Sequence, residues 1–406
     1  MKEFEGKKLL VLGGSKNLVP LIDMGHSLGY YVIVCDWTKD NPGNLIADKH
    51  YQVSVCDFDV ILNIAKEERI DGICSNYEVA MPTVAYVSEK LNLVGNPYKS
   101  IVNVIEKDKF RNLQKRAGVF APKHIVTCSY EYLKKKIKEF EFPVILKPCE
   151  SSATRGVTKI LKNDLTTIKE AFLSCQSLSR NNKVCLEEFV EMQSLVVLDG
   201  DVFVYGDDFI WNGLFYSTRS KNAPMVPTTQ TYPLSLPEEK LNIVKDTLKK
   251  VFKTAGIRFG EYNVEMYFNR GGELFIIEIN VRQGGNGIPI MIKEHSGIDF
   301  TKLLVSLSVG DESYYNEISN STPLCQYLCR HPVYSDKNGK YSGIHISKEL
   351  SDFVYKIDEI KQMGDDVHCC NNALDVVGFV NLRFDSLSTQ LKYYDKLEDF
   401  ISVKLK

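Results

Sequence analysis

GEYNVEMYFNRGGELFIIEINVRQGGNG, residues 260–287, reads as two strands meeting at a turn. Asn263, Glu265 and Tyr267 alternate with Val264, Met266 and Phe268. Further on, Glu278 and Asn280 alternate with Phe275, Ile277 and Ile279. Alternation with a period of two marks strands with one apolar face. Gly271-Gly272 is a favoured two-residue hairpin turn. On that turn Arg270 pairs with Glu273, Glu265 falls opposite Glu278, and Asn263 opposite Asn280, all four on one face. Two carboxylates so placed repel, by about 4 kcal/mol at ~4 Å and an effective dielectric of ~20. A shared proton, a nearby cation or a divalent metal would offset this. Two glutamates alone would suit a solvated face with arginines nearby. The Asn pair, Arg282 and Gly284-Gly285 tip the reading towards a metal–phosphate site. An all-oxygen set of Glu265, Glu278 and Asn280 suits Mg²⁺ or Mn²⁺.

The 406 residues suffice for two to four packed units, and 44% hydrophobic with 25% charged residues is ordinary for a globular protein. A net charge of −2 gives no bulk electrostatic case for nucleic acid or anionic membrane. No stretch is long and apolar enough to span a bilayer, and the N-terminus lacks a signal-peptide pattern, so the expected location is cytoplasmic. Eleven cysteines, mostly single within apolar runs, fit buried free thiols in a reducing compartment. Cys325, Cys329, His331, His368, Cys369 and Cys370 match the spacing of no compact zinc module, so a metal there is disfavoured.

Residues 1–100 alternate strand and helix, including a short strand at LVGNP (93–97), which argues for a doubly wound parallel sheet. Gly13-Gly14-Ser15 lies at the first strand-to-helix turn, a place that favours anions. Asp36, ending the second strand, raises a nicotinamide dehydrogenase reading, but GGSKN is not GxGxxG, and Asp36 could equally hold the loop. Glu78 follows the third strand, at the edge where such sheets bind ligands. Residues 100–120 read as one helix whose Lys107, Lys109 and Arg111 suit a solvated face. Lys147 ends the buried strand FPVILKP, and the small-residue loop 151–157 could close over phosphates. Residues 194–216 read as hairpins turning at DG and GD, and 220–237 as a long loop. A last helix is expected near 386–400.

In order and spacing these blocks resemble the ATP-grasp superfamily over residues 1–310, more weakly to 406. Glu278–Arg282 matches its E-x-N-x-R strand and Glu265 its earlier acidic ligand. Asp108-Lys109, Phe142–Pro148, Ser151–Val157 and Glu187–Phe189 match its D-K helix, F-P-V-x-x-K-P strand, flexible loop and E-E-F hinge. The branch containing biotin carboxylase, carbamoyl-phosphate synthetase large subunit and L-amino-acid ligases is the most similar. The resemblance implies a Rossmann-like domain at 1–100, a two-subdomain ATP-grasp domain at 101–310 with its lid at about 122–192, and a small strand-rich α+β domain at 311–406. It implies ATP held by Lys109, Lys147, Ser151, Ser152, Thr154, Gly156, Glu187, Glu188, Phe189 and Val190. One or two Mg²⁺ or Mn²⁺ would sit on Glu265, Glu278 and Asn280, with Arg282 and Asn280 catalytic. Glu187 would receive the adenine amino group. Glu191-Met192-Gln193-Ser194 departs from the usual ribose contact. Glu78, Arg219, Lys221 and Arg330 are the substrate candidates. The implied activity joins a small carboxylate to an amine through an acyl phosphate, and a homodimer is compatible with it. A bicarbonate-activating enzyme and an inactive nucleotide-binding module are the alternatives.

Overall fold

The computed structural model describes residues 4–149, 156–194, 196–219 and 226–406, Pro227 by its backbone alone. The first unit is a parallel sheet of β1 (Lys8–Leu12), β2 (Tyr31–Cys35), β3 (Lys49–Tyr51) and β4 (Gly72–Cys74), in the order β3-β2-β1-β4. Strands β1, β2 and β4 are buried apolar runs, as a sheet covered by helices requires, while the edge strand β3 is polar and partly exposed. The segment 93–97 is not a strand; the fourth strand is Lys49–Tyr51 instead. Asn96 shows why: its side chain accepts from the Arg258 and Phe259 N–H groups and donates to the Phe259 carbonyl, clipping this unit to the central sheet.

The second sheet is antiparallel, with β5 (His124–Thr127), β6 (Val144–Pro148), β7 (Thr158–Ile160) and β8 (Val184–Glu188) in the order β5-β8-β6-β7. It has its own core, built from Leu133, Val144, Leu146, Phe172 and Leu186 among others. The central strands are β9 (Val196–Tyr205), β10 (Asp208–Arg219), β11 (Pro227–Tyr232), β12 (Phe259–Phe268) and β13 (Leu274–Asn280). Then come β14 (Tyr327–Val333), β15 (Gly339–Ile346), β16 (Val354–Glu359), β17 (Asp366–Val367), β18 (Gly378–Phe384) and β19 (Ile401–Leu405). Eight of these form one sheet, β13-β12-β9-β10-β11-β14-β18-β16, and β17-β15-β19 form a small third layer. The large sheet therefore runs unbroken past residue 310. The fold is the expected one: a parallel N-terminal sheet followed by antiparallel sheets in a two-part grasp.

Four local expectations change. Asp199-Gly200-Asp201 is not a turn but the middle of β9; the turn is at Gly206-Asp207. Gly200 is needed there because φ is +122° and a Cβ would lie 2.1 Å from the Gly213 carbonyl oxygen. Residues 227–232 are a buried strand rather than loop, their threonines bonded to Thr218, His331 and Cys329 across the sheet. The helix at 100–120 is two, Tyr98–Ile105 and Lys107–Arg116, broken at extended Glu106. Its apolar residues explain the break: after Ile101, Val104 and Ile105 the next turn offers Asp108, and the stripe resumes out of phase at Phe110 and Leu113. The last helix is likewise two short pieces, Leu387–Tyr393 and Leu397–Phe400, before β19.

The large sheet has two differently covered faces. Leu198, Val202, Val264, Met266, Ile276 and Ile279 pack under the helices 98–105, 107–116 and 238–255. On the other face, Phe203, Phe215 and Phe259 join a core with Ile288, Met291, Phe300 and the first unit's Leu9 and Val32. Beyond these aromatics the same face turns polar.

Candidate active site

The opening hairpin builds this polar face, by a route different from the expected one. The turn spans Arg270–Gly272, three residues, with Asn269 paired to Glu273 and Gly272 at φ +80°. That places the register one residue off near the turn (Phe268 opposite Leu274, Met266 opposite Ile276). A bulge at Ile277 restores it, so Glu265 does face Glu278 and Asn263 does face Asn280. The bulge also reverses the inward set: Ile276 is fully buried, and Ile277 is not.

Both carbonyls of the bulge are used. Arg111 donates to Ile276 O at 3.1 Å and Ile277 O at 2.8 Å, to Gln114 at 2.7 Å, and through Nε to Glu187 Oε1 at 3.0 Å. Its side chain is 1% exposed, so it is no solvated-face residue. The break at Glu106 and the stripe Phe110–Leu113–Gln114 turn it inward. Sequence reasoning missed it because an arginine among lysines carries no sign of burial. Glu187 also accepts from Lys147 at 2.7 Å, with Cys185 Sγ 3.4 Å away. Burial alone would raise the Glu187 pKa, but Arg111 and Lys147 outweigh it and hold the carboxyl well below its ordinary value. Burial draws the Lys147 ammonium down, against the pull of Glu187. The cluster ties the four-stranded lid to the central sheet. Tyr267 adds a second tie, its hydroxyl donating to Val190 O at 2.7 Å.

The remaining nucleotide candidates among the described residues are each engaged locally. Glu188 accepts from the Lys123 N–H, Phe189 lies under Lys159, and Lys109 pairs with Glu106 at 2.8 Å near the start of its helix. Gly156 (φ +77°) packs against Pro148 and Leu178. Ser151, Ser152, Thr154 and Lys221 lie outside the described residues.

On the central strands two further acids stand beside the pair. Asp199 is directly opposite Glu265 and Asp201 opposite Asn263. Their Asp-Gly-Asp sequence suggests a turn, and only the alternation Asp199, Asp201, Phe203 in VLDGDVFVY hints at one strand face. Glu278, Glu265 and Asp199 thus form a row across three strands. Burial, Asp199 and Glu278 raise the Glu265 pKa to about 8, with Arg219, 3.5 Å away, only partly offsetting them. Burial pushes Asp199 up to about 6. Behind them Glu261 and Asp201 are buried side by side, and burial with Asp201 raises Glu261 well above the carboxylate range. Such an excess of carboxylates is what a divalent cation relieves. Among the described residues no three His, Cys, Asp or Glu side chains converge on a metal position, the cysteines of residues 325–370 included. Beside the Glu265–Glu278 pair at the hairpin stands the Asn280 carboxamide. Its Nδ2 is committed to Asn263 and Glu278, which leaves Oδ1, a hard oxygen.

Glu78 reaches this face from the first unit, 3.6 Å from Arg282, whose Nη1 donates to the Gln283 carbonyl. Arg330 lies on the same sheet face farther along, since Ser217, Gln230, Arg330 and Asn381 pair in line. It donates to Asp358, Asn381 and Asn286 O and lies 4.0 Å over the Phe379 ring, so it is largely engaged within the protein. The Gly13-Gly14 turn is filled from within: Asp36 accepts from the Gly14 and Thr38 N–H groups and from Asn41, and Asn44 lies against Gly14. Asp36 therefore holds this loop, and its carboxylate is committed there rather than to a ribose.

A four-stranded sheet joined by an arginine–glutamate–lysine cluster to a sheet bearing E-x-N-x-R is the arrangement the resemblance implies. The chain belongs to the ATP-grasp superfamily. Residues 114–308 match the family described as D-ala D-ala ligase C-terminus. The chain is similar to the L-amino acid ligase from Bacillus licheniformis (TM-score 0.76, 19% identity, 99% of both chains). It is also similar to the biotin carboxylase domain of Hydrogenobacter thermophilus 2-oxoglutarate carboxylase, crystallised as a dimer with MgADP and bicarbonate (TM-score 0.67, 16% identity, 98% of this chain and 91% of that one). The carbamoyl phosphate synthase large chain of Clostridium acetobutylicum is 22% identical over 314 residues, 75% of this chain; the match spans only 28% of that longer protein. Among the described residues no helix is long and apolar enough to cross a membrane.

Proposed function

We propose that this protein is an ATP- and Mg²⁺-dependent ligase that activates a small carboxylate as an acyl phosphate and passes it to an amine. The observation that carries the reading is the in-register Glu265–Glu278 pair with Asn280 beside it, on the sheet that Arg111 and Glu187 join to the lid. Glu265, Glu278 and Asn280 would hold one or two Mg²⁺ or Mn²⁺, which would neutralise charge on the transferring phosphoryl group. Phosphoryl transfer asks chiefly for positioning and charge neutralisation. Lys109 and Lys147 supply fixed cations along the phosphate chain, with Lys147 exchanging part of its bond to Glu187 for phosphate. With the Glu187 carboxylate held by Arg111 and Lys147, the adenine contact falls to the backbone of Glu188, Phe189 and Val190. Ser151, Ser152, Thr154 and Gly156 would contact the phosphates, and the acyl phosphate would have to be kept from water. Arg282, steadied by Glu78, faces the carboxylate or the developing charge. Arg219 beside Glu265 is the second substrate-facing cation, and Arg330 shapes the far end of the same face. A homodimer is part of this reading.

Phosphate release from ATP, measured over amino acids and other small carboxylates singly and in pairs, tests it. Turnover that needs two acceptors, with a new amide product, is the expected result. Turnover with bicarbonate alone would replace the ligase reading by a bicarbonate-activating one. Tight ATP binding with no turnover on any acceptor would leave a binding module.

A further inference from the structure

The carboxamide of Asn263 stands one strand in from Asn280, and its surroundings leave it one orientation. Its Nδ2 is ringed by acceptors: Asp201 Oδ1 at 3.0 Å, Asp199 Oδ1 at 3.3 Å and the Gly200 carbonyl at 3.3 Å. Turned over, it would set an acceptor oxygen against three acceptor oxygens in a buried site, losing all three hydrogen bonds for none. Asn263 Oδ1 therefore points the other way, and Asn280 Nδ2 donates to it at 3.2 Å and to Glu278 Oε1 at 3.4 Å. A carboxamide has one oxygen. With its nitrogen held on the hairpin side, Asn280 must present that oxygen to the cleft. Turned over, it would present an NH₂ group, which cannot ligate a cation.

The clamp behind Asn263 is itself rigid. Asp201 is fully buried and both its oxygens accept from the Gly284 N–H, at 3.0 and 2.9 Å. Gly284 fits because it has no side chain: a Cβ would lie 2.9 Å from both Asn263 Nδ2 and Asp201 Oδ1, and 2.4 Å from Ile288 Cδ1. Asp199 is fixed in turn by the Gly200 N–H at 2.6 Å.

We propose that Asn263, clamped by Asp199 and Asp201, is a positioning residue that sets the amide of Asn280 so that oxygen, not nitrogen, faces the metal. This rests on the metal reading of Glu265, Glu278 and Asn280. Groups that orient a metal ligand from behind are worth about 10–100-fold in affinity.

The test is Mn²⁺ binding in the presence of ADP, followed by the electron paramagnetic resonance signal of free Mn²⁺, in a double-mutant cycle of Asn263→Ala and Asn280→Asp. The carboxylate introduced by Asn280→Asp would offer two equivalent oxygens and need no orientation. Asn263→Ala is expected to weaken Mn²⁺ binding tenfold or more in the wild-type background, and less than threefold in the Asn280→Asp background. Thermal melting and metal-free ADP binding report the fold of each variant, and Asn263→Ser replaces the alanine variant if that one unfolds. Unchanged affinity, or the same loss in both backgrounds, would overturn the inference, since a merely structural residue costs the same in each. If Glu278→Ala leaves wild-type Mn²⁺ affinity intact, the metal reading fails and this inference falls with it.

Discussion

Replacing Arg111 by Met should cost more stability than any other single charge removed from the lid–sheet junction. The guanidinium is 1% exposed and bonds Glu187, Gln114 and the carbonyls of Ile276 and Ile277. Methionine keeps much of the volume, so the loss is polar. Glu187 would stay buried with Lys147 as its only cation, and breaking one side of a buried ion pair costs about 3–5 kcal/mol. Ile276 O keeps Gln114, 3.1 Å away, while Ile277 O is left bare, for about 1–3 kcal/mol more. The terms share a site and are not additive, so about 4–6 kcal/mol is expected. Arg111→Lys keeps the charge but not the fork, and should cost about half as much. Native-state hydrogen exchange at β8 and β13 amides reads the loss locally, as a multi-unit chain requires. A loss below about 1 kcal/mol for Arg111→Met would refute the argument that this cluster joins lid to sheet.

Three further outcomes follow from the geometry. His331 is buried with Nδ1 2.9 Å from Thr229 Oγ1, and burial lowers its pKa to about 4 from 6.5. Only the unfolded chain binds that proton between these values, so stability is whole above pH 6.5 and falls as pH drops towards 4, by about 3 kcal/mol from this group. Urea titrations at pH 7 and 4.5 should show that loss shrinking in His331→Gln. Gly284→Ala should destabilise by about 1–3 kcal/mol, because its methyl group would meet Ile288, Asn263 and Asp201, and calorimetric melting reads it. Tyr267→Phe removes the bond to Val190 O, for about 1 kcal/mol, and should speed hydrogen exchange at 188–192 while leaving β9 unchanged.

The hairpin shows how local patterning can reach the right residues by an incomplete route. Alternation and Gly-Gly placed Glu265 opposite Glu278, yet the turn is one residue longer and the bulge at Ile277 compensates. A bulge leaves no mark in an apolar run such as LFIIEIN, because every residue in it suits either face. The ordered blocks around Lys109, Lys147, Glu187 and Glu278 made the superfamily legible, since spacing constrains them jointly. Arg111, Asp199 and Asp201 were not legible. Their roles depend on partners some 60 to 165 residues away, and single polar residues advertise surface or turn chemistry first. The strand at 227–232 was hidden by flanking prolines, which read as loop until both neighbouring strands are known.

The central claim is that the Glu265–Glu278–Asn280 face holds the metal that ATP chemistry needs here. The most direct measurement is Mg²⁺-dependent release of ADP from ATP by wild type and Glu278→Ala, assayed side by side with the acceptors that support turnover. The account predicts that Glu278→Ala loses the activity while it folds and binds ADP without metal as wild type does. Full Mg²⁺-dependent ADP release by Glu278→Ala would contradict it.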